Sequence, residues 1–154
     1  MEESNMTIKI NTKAIGIKGP IEIKSTVGLK EDANNIMISL IEMSIAEEKT
    51  EPEVDYESLT DEEKEQYDRD QAKKTIEGIK KELSTFDKLL DFIQSTLKLS
   101  ASQIKKVKYE IDESELGDYV HYLVQRINGT SEAEIELAQK IEVEKQKEQD
   151  PKKS

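Results

Sequence analysis

The side chains best suited to catalysis in this sequence are few, and they lack the partners that catalysis needs. His121 is the single histidine and lies between Val120 and Tyr122 in a helical pattern, which favours a partly buried structural role. No Gly-x-Ser-x-Gly motif supplies a serine nucleophile. The chain has no cysteine, so it has neither a thiol nucleophile nor a cysteine-based metal site. We therefore expect no catalytic activity, no cofactor and no metal site.

The glycine-containing and acidic segments do not match ligand-binding loops. Gly16-Ile17-Lys18-Gly19 lacks the Gly-Lys-Ser/Thr element and the following helix of a phosphate loop, so it indicates a hairpin. Residues 47–63 hold nine acidic residues and one lysine, without the glycine and regular spacing of a calcium loop. Such a run of like charge is typical of an exposed linker. A docking surface for a basic partner is the alternative that the sequence leaves open.

The overall charge narrows the class of partner. The 154 residues carry a formal net charge of −11, which disfavours binding to nucleic acid and to anionic membrane surfaces. No apolar run approaches the roughly 18 residues of a membrane span, and the polar, acidic N-terminus does not match a signal peptide. We therefore expect a protein that acts in a cytoplasm and binds other proteins.

One apolar seam of helical spacing dominates the middle of the chain. Its residues alternate by four and three positions, which predicts a long helix over residues 61–98 that begins at a Thr60/Glu63 capping box. Leu89 and Phe92 widen the stripe near its end, so Phe86, Leu90 and Ile93 are predicted to lie in the core. The full seam is Ala72, Ile76, Ile79, Leu83, Phe86, Leu90, Ile93 and Leu97.

The flanking patterns predict a mainly α member of the α+β class, with a short antiparallel β ribbon packed on a helical bundle. Isoleucines alternate with polar residues in the ribbon, which is expected to have two or three strands. Capping boxes at Ser100/Gln103 and Asp112/Glu115 open two later helices, and Ser131/Glu134 opens a last one. The predicted organisation is a flexible segment 1–6, a single domain 7–142 and a disordered charged tail 143–154. The domain comprises a ribbon 7–27, a helix 29–48, an acidic linker 49–60 and helices 61–142.

Two thin apolar surfaces are predicted to bind protein partners or a second copy. The ribbon offers an edge and a narrow apolar face, and the last helix has a stripe too thin for one domain to hold firmly. The residues in these surfaces are Ile8, Ile10, Ile15, Ile17, Ile135, Ala138 and Ile141. The alternative is that the ribbon closes onto its own bundle and that the last helix frays.

A family resemblance covers about a third of the chain. The stretch from Phe92-Ile93-Gln94-Ser95 through Glu115-Leu116-Gly117-Asp118 to Ile127-Asn128-Gly129-Thr130 is similar to the C-terminal helices of tail assembly chaperones. Those proteins come from long-tailed, siphovirus-type phages and prophages of Gram-positive bacteria. The resemblance implies an adaptor that binds the tape measure protein and recruits tail tube subunits during tail morphogenesis. It also implies a location in the host bacterial cytoplasm and absence from the mature virion.

Two other classes of function remain open from the sequence. One is a structural tail or connector component, which would persist in the particle. The other is an acidic regulatory adaptor that binds a basic protein through residues 47–63.

Overall fold

The long central helix forms between two capping residues. In the computed structural model, which describes residues 7–48 and 51–149, this helix spans Asp61–Leu97. The Glu63 N–H donates to the Thr60 hydroxyl at 3.2 Å, and the Thr60 N–H donates to the Glu63 carboxylate at 3.0 Å. In chain order the elements are β1 (Thr7–Ile10), β2 (Ile21–Lys24), α1 (Val27–Glu48), α2 (Asp61–Leu97), α3 (Ala101–Glu110), α4 (Glu113–Ile127) and α5 (Glu132–Gln149). The mainly α, α+β class is confirmed.

The ribbon has two antiparallel strands. Ile8 pairs with Ile23, and Ile10 with Ile21. Because side chains alternate along a strand, these four isoleucines share the face that packs on the helices, while Lys9 and Lys24 are exposed. Ile15 and Ile17 lie in the connection, which contains a 3₁₀ turn instead of a third strand.

Helices α1 and α2 form an antiparallel hairpin. At one end, Leu29 of α1 and Leu97 of α2 line the same cavity. At the other end, the Lys74 Nζ atom lies 2.9 Å from a carboxylate oxygen of Glu51, just beyond α1. Helix α1 also packs against α4, and an amide hydrogen bond of 3.2 Å joins Asn128 to Asn34.

Only the second half of the α2 seam is buried. Leu90, Ile93 and Leu97 lie in the core, because α3 and α4 cover this part of the helix. Phe86 is half-buried where this cover ends, in a groove that it shares with Ile111 of the α3–α4 corner. Before this point the seam is exposed, so the prediction for Phe86 holds only in part.

The C-terminal helices begin and end where their local signals predict. Both capping boxes form, at Ser100/Gln103 and at Asp112/Glu115. Gly129 follows α4 with φ +100°, a left-handed conformation that glycine adopts without steric cost. The Glu134 N–H donates to the Ser131 hydroxyl at 3.2 Å at the start of α5.

Helix α5 extends further than the sequence predicts. It continues to Gln149 and so occupies most of the segment 143–154 that was expected to be disordered. The sequence from 143 to 149 contains no proline or glycine, so nothing in it stops a helix once the helix has begun. The predicted flexible segment 1–6 and residues 150–154 lie outside the described residues.

Candidate functional site

The residues considered for catalysis are not assembled into a reactive site. His121 is exposed, not partly buried as predicted, because Val120, Leu123 and Val124 occupy the inward face of α4. Within residues 7–48 and 51–149, no group of three or more His, Asp or Glu side chains is placed to hold a metal ion.

The glycine loop is closed by its own hydrogen bonds. The buried Thr12 hydroxyl lies 2.9 Å from the Ile17 carbonyl oxygen and also contacts the carbonyl oxygen of Gly19. The N–H groups of Gly16 and Ile17 donate to the carbonyl oxygens of Lys13 and Thr12. These two donors are therefore already engaged and do not form an anion-binding loop.

The acidic segment is partly held against α2. Besides the contact between Glu51 and Lys74, the Tyr56 hydroxyl donates to Asp68 at 3.1 Å. The Tyr56 ring packs against that of Tyr67 with 5.7 Å between ring centroids. The hydrogen bond that Lys74 donates to the Glu51 carboxylate raises the pKa of Lys74. The carboxylates of Glu53 and Glu57 remain exposed and are free to attract a cation.

Two of the four ribbon residues predicted to bind a partner are buried in this chain's own core. Ile10 and Ile15 lie in the core of this chain, and Ile8 and Ile17 are half-buried against it. The ribbon closes onto its own bundle because α4 supplies polar partners for its backbone: an Arg126 N–H donates to the Lys9 carbonyl at 2.9 Å. Within this fold, Ile10 and Ile15 are not available to a partner.

The last helix divides into an anchored start and an exposed remainder. Ile135 is buried, so it too is removed from the predicted surface. Glu132 accepts a hydrogen bond from Tyr122 and forms an ion pair with Arg126, with 3.3 Å between the Glu132 oxygen and Arg126 Nε. Ala138 and Ile141 are exposed, as a binding surface requires, and whether they bind a partner stays a prediction.

Two exposed apolar surfaces lie on the hairpin, and the sequence analysis did not predict either of them as a binding surface. On α1, Ile38, Ile41 and Ile45 are 53%, 53% and 52% exposed. These three residues form one stripe, since their spacing of three and four positions returns to the same side of a helix. We call Ile38, Ile41 and Ile45 the α1 stripe. We call Ile76, Ile79 and Leu83 the bare α2 seam; each is also about half exposed.

A sequence signal for the α1 stripe did exist. Residues 36–41 are apolar at every position except Ser39, which is more apolar surface than one buried face of a helix requires. Ala33 and Ile36 are buried and Leu40 is half-buried, whereas the α1 stripe lies on the other side of the helix.

Among the helices in the described parts of the chain, none is both long and apolar enough to span a membrane.

Comparisons with known proteins identify the family. Neither a curated protein nor a solved structure matches the chain significantly. Residues 6–147, however, match the family model described as phage tail assembly chaperone proteins, TAC. This match covers nearly the whole chain and agrees with the resemblance of its C-terminal helices. The protein therefore belongs to the family of phage tail assembly chaperones.

Proposed function

We propose that this chaperone binds the tape measure protein and brings tail tube subunits to it while the tail is being assembled. The proposal places it in the host bacterial cytoplasm and leaves it out of the mature virion. It also assigns the protein to a siphovirus-type phage or prophage of a Gram-positive host, on the resemblance of the helices between residues 92 and 130.

The observation that best supports an adaptor role is the amount of apolar helix surface that the bundle leaves bare. The α1 stripe, the bare α2 seam and the outer part of α5 expose nine large apolar side chains at roughly half their area: Ile38, Ile41, Ile45, Ile76, Ile79, Leu83, Leu137, Ile141 and Val143. Contiguous exposed apolar surface on a water-soluble fold is typical of protein interaction sites. Several small surfaces also suit a partner that must later be released, because each contact is weak and the sum is strong.

Co-expression with the tape measure protein encoded in the same phage genome tests this proposal. We expect the tagged full-length chaperone to recover the tape measure protein in a pull-down. A variant that lacks residues 137–154 should recover less of it, because Leu137, Ile141 and Val143 are removed while Glu132 and the buried Ile135 stay. Equal recovery by both forms would exclude the outer part of α5 from the interface, and no recovery by either form would refute the proposal.

Mass spectrometry of purified virions separates the proposal from a structural role in the tail. An assembly chaperone should be absent from the finished particle. Presence at a stoichiometry comparable to that of the tube protein would instead support a structural tail component.

The exposed carboxylates of residues 51–57 favour the acidic regulatory adaptor as the second candidate. A variant in which Glu53, Asp55 and Glu57 are changed to Gln or Asn removes this charge while Glu51 and its contact with Lys74 remain. Full loss of tape measure recovery in this variant would assign that binding to the acidic segment, whereas unchanged recovery would leave the segment free to bind a different basic protein, as the second candidate requires.

A further inference from the structure

We propose that the α1 stripe is the docking site for an amphipathic, positively charged helix of a partner protein. The inference rests on the proposed adaptor function, because that function supplies the biological partner. It goes beyond that function by naming the surface and the chemistry of the segment that binds there.

The spacing of the α1 stripe indicates that its occupant is a helix. Ile38, Ile41 and Ile45 follow each other at three and four positions, so they form a straight apolar ridge about two turns long. A second helix with apolar residues at the same spacing packs along such a ridge by interdigitation of side chains.

The charge around the α1 stripe indicates the sign of the partner. Glu31 and Glu42 flank the stripe on one side of α1, and α1 contains no lysine or arginine after Lys30. The exposed carboxylates of Glu53 and Glu57 lie in the segment that follows the helix. Between residues 31 and 70 there are fifteen acidic and three basic residues, so this region carries all of the net negative charge of the chain.

The same charge disfavours the alternative occupant, a second copy of this chain. Two hairpins joined through their α1 stripes would bring two strongly acidic surfaces together, and like charges across an interface are unfavourable. The charges around the bare α2 seam do not indicate the sign of a partner that would bind there. Lys73 and Lys80 flank that seam on one side and Glu82 flanks it on the other, so its charge is mixed.

A synthetic helical peptide is the probe for this site. The peptide has about 18 residues, or five turns, with leucine along one face and lysine elsewhere, and it carries a fluorophore for anisotropy titrations. A scrambled peptide of the same composition controls for bulk charge attraction. We expect the amphipathic peptide to bind the full-length chaperone with higher affinity than the scrambled one, and to bind less well as salt is added.

Two variants of the full chain locate the binding. Ile38→Ser, Ile41→Ser and Ile45→Ser together should weaken peptide binding by at least about tenfold, because the apolar contact area is lost. The control is Val27→Ser and Tyr109→Ser, two apolar side chains that are 84% and 76% exposed outside the proposed binding surfaces, and it should bind as the wild type does. Should the triple α1 variant fail to fold, Ile41→Ser alone provides the same comparison, with a thermal melt as the folding check.

Three results would overturn the inference. They are equal binding by the α1-stripe variant, equal binding of the scrambled peptide, and a wild-type dimer in analytical ultracentrifugation that the α1-stripe variant abolishes. The last result would assign the stripe to a second copy. The pull-down with the tape measure protein is independent of these titrations. Failure of the peptide to bind, with the tape measure protein still recovered, would refute this site and leave the proposed function standing.

Discussion

The hydroxyl of Tyr119 donates a hydrogen bond of 2.7 Å to the backbone carbonyl oxygen of Asn11. The N–H of the same Asn11 donates to the hydroxyl of Tyr122 at 2.9 Å. Two tyrosines of α4, one turn apart, therefore hold both backbone polar groups of one residue in the loop after β1. This contact joins residues 108 positions apart in the sequence and fixes where the ribbon lies on the bundle.

Removal of the Tyr119 hydroxyl tests the contribution of this contact. We expect Tyr119→Phe to lower the free energy of unfolding by about 1–3 kcal/mol, because the Asn11 carbonyl loses its partner while the ring stays packed. Urea denaturation measures the change. Tyr109→Phe is the control, since Tyr109 is 76% exposed, and it should change stability by less than about 0.5 kcal/mol. Equal effects of both substitutions would contradict the role of the buried hydroxyl.

The two tyrosines of α4 also predict how stability depends on pH. Burial raises the pKa of the Tyr119 phenol, and burial followed by the hydrogen bond to Glu132 raises that of Tyr122. Above about pH 10 the unfolded chain loses these protons while the folded chain keeps them, so the unfolded state binds fewer protons. The free energy of unfolding should therefore be unaffected by these groups at lower pH and fall as the pH rises through this range.

The comparison of Tyr119→Phe with the wild type isolates this effect. Denaturation curves at about pH 9 and pH 11, on either side of the ordinary tyrosine pKa, should show a smaller loss of stability in the variant. Tyr109→Phe should follow the wild type. Parallel losses in wild type and Tyr119→Phe would show that the Tyr119 phenol does not contribute.

The two halves of the α2 seam should respond differently to the same substitution. Ile93 is fully buried, so Ile93→Ala should cost about 2–5 kcal/mol of stability, from lost burial and the cavity that remains. Ile79 lies on the same helix and is 51% exposed, so Ile79→Ala should cost less than about 1 kcal/mol. Thermal or urea unfolding of the isolated protein measures both. A large cost at Ile79 would mean that the bare seam is covered, for instance by a second copy.

The residue that ends α2 offers a stabilising substitution. Lys98 has φ +55°, a left-handed conformation that costs a non-glycine residue about 1–2 kcal/mol. Lys98→Gly should stabilise the fold by about 0.5–1 kcal/mol, since the greater freedom of glycine in the unfolded chain offsets part of the gain. Lys88→Gly, in the interior of the same helix, should instead destabilise by about 1 kcal/mol. A loss of stability at Lys98→Gly would show that its side chain makes a contact that outweighs the strain.

Local interactions explain why much of the fold could be predicted from the sequence. The capping boxes at Thr60, Ser100 and Asp112 each join residues three positions apart, so their formation depends on little outside the helix end. The left-handed conformation of Gly129 and the alternating apolar pattern of β1 and β2 are likewise local properties of the sequence. For this reason the order of elements and the mainly α class were predicted correctly. The chaperone family was predicted correctly from the resemblance of the C-terminal helices.

The tertiary structure alone decided which apolar faces are covered. Ile76 and Ile93 are the same residue type in one regular seam, yet Ile93 is enclosed by the C-terminal helices and Ile76 is about half exposed. Ile10 and Ile15, predicted to bind a partner, are buried because Tyr119, Tyr122 and Arg126 hold the ribbon on α4. Periodicity identifies the apolar side of a helix or strand but not the element packed against it, since that contact joins residues far apart in the sequence. The exposed α1 stripe is the consequence for function: the sequence supplied the isoleucines, and the packing of the bundle left them available.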